Sequence, residues 1–217
     1  MKLSKSGISY TAAQKQCKED VMVEKYRLQS NSIKELETPK KEAIDWIDLP
    51  TIVVSHGLAK AALGNGVKID EPACIRLDLE DLKCFEAVDS QFERWGVTFT
   101  NTMAIHPSNP AFPPYYGNTV LIGAPKSGSL EATFSTPVSY VSAFVTSSRR
   151  AVLAAYDQEG VAIAHAEISG ANLAGSEGLI APNTPLCVRV PNIHRVTFFT
   201  FDGHLTVDGF SYHLQNG

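Results

Sequence analysis

From Pro72 onward, apolar and polar residues alternate in short runs broken by turn residues. Ile75, Leu77 and Leu79 interleave with Arg76, Asp78 and Glu80, the period-two mark of a strand with one buried face. Trp95, Val97 and Phe99 repeat the pattern, as do Leu130, Ala132 and Phe134 around Glu131 and Thr133. The same reading predicts strands over Thr119–Ile122, Tyr140–Thr146, Ala151–Tyr156, Val161–Ile168, Leu186–Val190, Arg195–Phe201 and His204–Tyr212, with Ile52–Val54 as an earlier one. Asp202-Gly203 offers two positions that tolerate positive φ, which predicts a tight hairpin; Asp157–Gly160 and Pro125–Gly128 read as further turns. Strands at this spacing, with no helices between them, predict an all-β fold, an antiparallel β-sandwich.

The chain changes character near residue 50. Thr11–Gln29 reads as a helix with a thin apolar stripe, and Lys40–Trp46 as another turn or two. Gly57–Leu63 looks briefly helical before Gly64-Asn65-Gly66 stops it. The expected organisation is a polar, partly helical extension over 1–50 and a β-sandwich domain over 51–217. The extension lies on its own sandwich or, alternatively, acts through residues 1–48 as an assembly or oligomerisation element.

Composition narrows the functions. A charge of −4 and a pI near 5.9 leave no basic stripe for a nucleic-acid partner. No run approaches the ~18 apolar residues of a membrane span, and no apolar core of a secretory signal follows the basic start. That absence points to the cytoplasm. Cys17, Cys74, Cys84 and Cys187 lack metal or redox spacing; they read as buried thiols, with a Cys74–Cys84 or Cys74–Cys187 bridge in an exported protein.

Two stretches resemble a known group. Ile75-Arg-Leu-Asp-Leu-Glu-Asp-Leu82, then Val88-Asp-Ser-Gln-Phe-Glu-Arg-Trp-Gly-Val-Thr-Phe-Thr-Asn101, resembles the opening of bacterial β-sandwich domains common in PEP-CTERM-type exported proteins. The segment from Val196 to Tyr212 looks like that group's closing hairpin, although Gly209 stands where its pattern has a second acidic residue, and no PEP-CTERM anchor follows. In plan the group is similar to galactose-binding-like jelly rolls, among them carbohydrate-binding modules. The resemblance implies export, adjacent first and last strands, and a structural calcium where their acids meet. Asp78, Glu80 and Asp208 are the expected calcium ligands, since calcium takes six to eight oxygens.

The segment His106–Asn118 holds four prolines, which stiffen it and display Phe112, Tyr115 and Tyr116 beside Asn109 at little entropic cost. Rings flanked by amides are what a sugar-binding loop needs; the alternative is an aromatic plug at one end of the sandwich. Thr146–Arg150 presents the guanidiniums of Arg149 and Arg150 with hydroxyls to a sulfate, phosphate or carboxylate; the alternative is a polar strand end with Arg149 paired to a local acid. Catalysis has no recognisable signature. The six histidines are scattered, no GxSxG is present, and Gly123–Gly128 lacks the Lys-Ser/Thr of a phosphate loop. The sequence therefore predicts a non-enzymatic module binding a glycan or other small polar ligand, with assembly through residues 1–48 or a hydrolase with an unrecognised site as the alternatives.

Overall fold

The computed structural model describes residues 51–56, 74–123 and 128–214. The chain divides into two units, 1–49 and 50–217, and the description concerns the second. The helices expected at Thr11–Gln29, Lys40–Trp46 and Gly57–Leu63, the turn through Pro125, and assembly through residues 1–48 all lie outside the described residues.

Ten strands follow in chain order: β1 (Thr51–Ser55), β2 (Cys74–Asp78), β3 (Val97–Thr100), β4 (Thr102–Ile105), β5 (Val120–Gly123), β6 (Ser129–Ser147), β7 (Ala151–Tyr156), β8 (Ala162–Ile168), β9 (Thr184–Thr200) and β10 (Leu205–Leu214). They pair in the order β1-β2-β10-β6-β9-β7-β8, with β3 on β6, and β5 joining β4 to β10. The fold is an all-β sandwich. All pairs are antiparallel except β1, which lies parallel to β2 from Thr51 opposite Cys74 to Ser55 opposite Asp78. The first and last strands of the repeating pattern do lie side by side, Arg76 opposite Ser211 and Ile75 opposite Tyr212. No helix among the described residues is long and apolar enough to cross a membrane.

Two long strands build both layers. The sequence reads Leu130–Phe134 and Tyr140–Thr146 as separate strands, but they are the two halves of β6. Its residues in the main core run through even positions, Leu130, Ala132, Phe134 and Val138, then through odd ones, Val141, Ala143 and Val145, while Tyr140 and Phe144 are buried outside that cluster. Irregularities between Thr133 and Tyr140 make the switch. Because the side-chain period is two, one extra residue exchanges the faces and bends the strand, so β6 passes from one layer to the other. β9 bends likewise near Asn192, whose φ is 65°. The layers meet in a ring cluster: Phe210 on β10 lies 5.4 Å from Phe99, 6.4 Å from Phe134 and 6.2 Å from Phe198. Each buried Phe contributes about 1.5–3 kcal/mol relative to exposure.

Asp202-Gly203 does not close a hairpin. β6 lies between β9 and β10, so Phe201–His204 carries the chain across it from one neighbour to the other. Asp202 adopts φ 53°, and the loop is tied instead to the β6–β7 turn, with Ser148 N–H donating to the His204 carbonyl and His204 N–H to Ser148 Oγ, both at 2.9 Å. Asp157–Gly160 does form a true hairpin between β7 and β8, with Gly160 at φ 79°. Neither expected bridge is formed, and Cys187 is disulfide-bonded rather than the buried thiol expected; the Cys84 sulfur accepts the His106 N–H at 3.3 Å.

Candidate functional site

The proline-rich segment between β4 and β5 is fastened by its backbone. Asn109 Oδ1 accepts the Ala111 N–H, and its carbonyl accepts that of Phe112, both at 3.0 Å, a local turn that aims the Phe112 ring. Further on, the Ala111 carbonyl takes the Ala174 N–H and the Pro113 carbonyl takes Asn183 Nδ2. The last fastenings are carboxylates. Asp208 Oδ2 accepts the N–H groups of Tyr115 and Tyr116 at 2.7 and 2.8 Å, and Glu80 Oε1 accepts those of Asn118 and Thr119 at 2.9 Å.

Asp208 and Glu80, expected as calcium ligands, thus hold the aromatic segment through its main chain. Asp78 accepts the Glu80 N–H at 3.2 Å. No group of three or more His, Cys, Asp or Glu among the described residues is placed to hold a metal ion. Asp208 Oδ1 takes the Gly209 N–H at 2.5 Å while Oδ2 takes two more, and Glu80 turns toward the loop. Burial pulls the Glu80 carboxyl upward, but the Asn118 and Thr119 donors and the nearby His106 outweigh it and hold it below the ordinary carboxylate range. Asp208 is almost wholly buried, and for it burial wins over its three donors, with Glu80 adding repulsion; its carboxyl sits above the ordinary range.

The four predicted ligand-facing residues divide between two places. Tyr115 stacks on Phe144 with centroids 3.6 Å apart, Tyr116 meets both rings edge-on, and the Arg76 guanidinium lies 4.0 Å over Tyr116. This is a plug: Tyr116 is half-buried, Phe144 buried, and only Tyr115 keeps an exposed face. Gly209 explains the missing acid of the pattern. At φ 58° it forms the β10 irregularity, and a Cβ there would lie 2.8 Å from the Phe144 ring and 2.9 Å from Tyr116.

Phe112 and Asn109 instead line a separate cleft of about 240 Å³. Ile105, Ile122 and Leu205 contribute apolar surface, with Ser108, Asn109 and His204 as polar members. Gly123 lets the end of β5 approach β6, since a Cβ there would meet the Ser129 backbone at 2.7 Å. Arg149 lies apart from this cleft, in a second, more open concavity of about 710 Å³. The sequence reading misses Ile105, Ile122 and His204 because their convergence depends on the β4–β5 pairing and the crossing of β6. Nothing local marks them.

No known protein family and no curated protein matches the chain. Among solved structures it is similar to a family 29 carbohydrate-binding module mutant complexed with mannohexaose, at 11% identity and TM-score 0.31 over 53% of this chain and 77% of that one. A second family 29 carbohydrate-binding module aligns at 11% identity and TM-score 0.29, over 54% of this chain and 88% of that one. The enzymatically active domain of tailspike protein 4 from bacteriophage CBA120 aligns at 16% identity and TM-score 0.29 over 59% of this chain and 21% of that one. Likenesses this distant carry no argument about ligand.

Proposed function

We infer that the sandwich is a non-enzymatic binding module for a neutral carbohydrate, received in the cleft of Phe112. The observation that supports this reading is the combination of a fastened, proline-stiffened segment with a concave apolar floor and a few polar groups. A pyranose presents one face of C–H bonds and a rim of hydroxyls. Phe112, Ile105 and Ile122 suit the first; Asn109, Ser108 and His204 suit the second. The backbone fastenings matter energetically, because a site already ordered does not pay loop entropy on binding.

The test is titration of the chain with a panel of neutral oligosaccharides, followed by calorimetry and by amide chemical shifts. Phe112→Ala and Asn109→Ala should each weaken binding about tenfold or more, with shift changes confined to 105–112, 122–123, 128 and 203–206. Because Phe112 is only half-buried and Asn109 exposed, both variants should remain folded. Binding that survives both substitutions unchanged sinks the reading.

A further inference from the structure

The concavity around Arg149 has a different chemistry from the Phe112 cleft. It is lined by Ser148, Arg149, Arg150, Val152, Ala171, Phe199 and Phe201. Phe199 is 39% exposed and Phe201 is 83% exposed, two phenyl rings left in water on the outward side of β9 and just beyond its end. A contiguous exposed apolar surface on a folded domain is informative in a way that a single exposed Leu is not.

Charge beside the rings is uneven. Arg150 is engaged by Glu167, its Nε donating to Oε2 at 3.1 Å, and the Arg150 guanidinium holds that carboxyl below its ordinary range. Arg149 makes no ion pair with a described residue. The lining holds no carboxylate, so one guanidinium is left over to pair with something else.

The frame of this concavity is built in advance. Arg149 N–H donates to Ser147 Oγ at 3.3 Å, the Arg150 carbonyl accepts Thr200 Oγ1 at 2.8 Å, and Ser148 exchanges two hydrogen bonds with His204. The β6–β7 turn carrying the arginines and the β9–β10 crossing carrying Phe201 therefore move as one piece. Gly203 seats them together, its Cβ position lying 3.2 Å from the Arg149 Cβ.

We propose that this concavity is a second ligand site, for an acidic sugar unit whose carboxylate or sulfate pairs with Arg149 while its C–H face rests on Phe199 and Phe201. A planar guanidinium fork suits a carboxylate or sulfate in two-point contact, and the rings supply the apolar plate that a pyranose needs. The volume falls within the roughly 300–1,000 Å³ of small-molecule sites. The Phe201–His204 crossing separates the two concavities, with Gly203 and His204 lining the first and Phe201 the second. The class of ligand rests on the carbohydrate reading above; the residues do not overlap with it.

The experiment titrates the full chain with trigalacturonate, its carboxyl-reduced neutral form and a heparin-derived tetrasaccharide, by calorimetry at about 0.02 M and about 0.2 M salt. At least one acidic probe should bind, more weakly at the higher salt. Arg149→Gln and Phe201→Ala should each lower that affinity about tenfold or more, Arg149→Lys less, and Phe112→Ala not at all. Both residues are exposed, so melting temperature should be unaltered and loss of binding is not loss of fold. Failure of both acidic probes to bind, equal binding of the neutral form at this site, or affinity indifferent to Arg149→Gln and Phe201→Ala overturns the proposal. A chain that takes neutral sugar at Phe112 but ignores acidic probes overturns this inference alone; acidic binding at Arg149 without any at Phe112 overturns the first reading alone.

Discussion

Replacing Asp208 with alanine removes the acceptor that three backbone N–H groups share, those of Tyr115, Tyr116 and Gly209. An orphaned buried donor costs about 1–3 kcal/mol. The Tyr115 donor belongs to an exposed residue and can find water, so the lower end applies and the sum comes to about 3 kcal/mol. For a chain of this size, 1 kcal/mol moves the melting temperature about 2–4 °C, which predicts a drop of about 6–12 °C. Asp208→Asn keeps one oxygen and turns an amide nitrogen toward the remaining donors, so its loss should be smaller, about 1–2 kcal/mol. The assay is a thermal melt with amide hydrogen exchange at Tyr115 and Tyr116. A fall of less than about 2 °C for Asp208→Ala, with both amides still protected, refutes the argument that the carboxylate anchors the segment.

His213 is 1% exposed, packs 4.5 Å from the Tyr140 ring, and has its imidazole pushed down to about 4 by burial, with Arg189 adding repulsion. A depressed folded value means stability present above the ordinary value of 6.5 and lost as pH falls through about 4, at most about 3 kcal/mol. Urea melts at pH 7 and pH 4.5 should show this decline in the parent chain and a flatter one in His213→Phe; equal slopes would dismiss it. Calcium and a chelator should give melting temperatures within about a degree of each other, because the Asp208 oxygens already hold three donors. A calcium-dependent rise of several degrees, abolished by Asp208→Ala, would establish the metal role. Gly209→Ala should cost about 2 kcal/mol or more by denaturant melt, since it joins a strained φ to a clash with two rings; a neutral result would mean that the Tyr116–Phe144 plug is loose.

The sequence pattern reads best where one face of a strand is buried and the other wet. Ile75 and Leu77 announce their strand, which ends at Asp78, one residue before Leu79, and Ala151–Tyr156 is found with the bounds expected. It reads worst where a bulge exchanges the faces, because the interrupted alternation in β6 and β9 looks like a strand ending. The Asp202-Gly203 dipeptide fails for a related reason: turn chemistry specifies a reversal, but not which strand the chain returns to.

The site repeats this division between local and long-range information. The rigid aromatic segment is legible from its prolines, and Asp208 in its strand and Glu80 just after one stand out as acids, yet the two features read as unrelated. Only the pairing of β10 with β2 and β5 brings Asp208 beneath Tyr115 and Tyr116. A carboxylate facing an acidic neighbour suggests a cation, whereas the backbone donors it takes have no signature in sequence because every residue but proline carries one. Phe199 and Phe201 are the opposite case. Val196 and Phe198 face inward on β9, so period two places Phe199 and Phe201 outward from sequence alone. The exposed rings were legible; what they do beside Arg149 depends on the β6–β7 turn being locked to the crossing that carries Phe201.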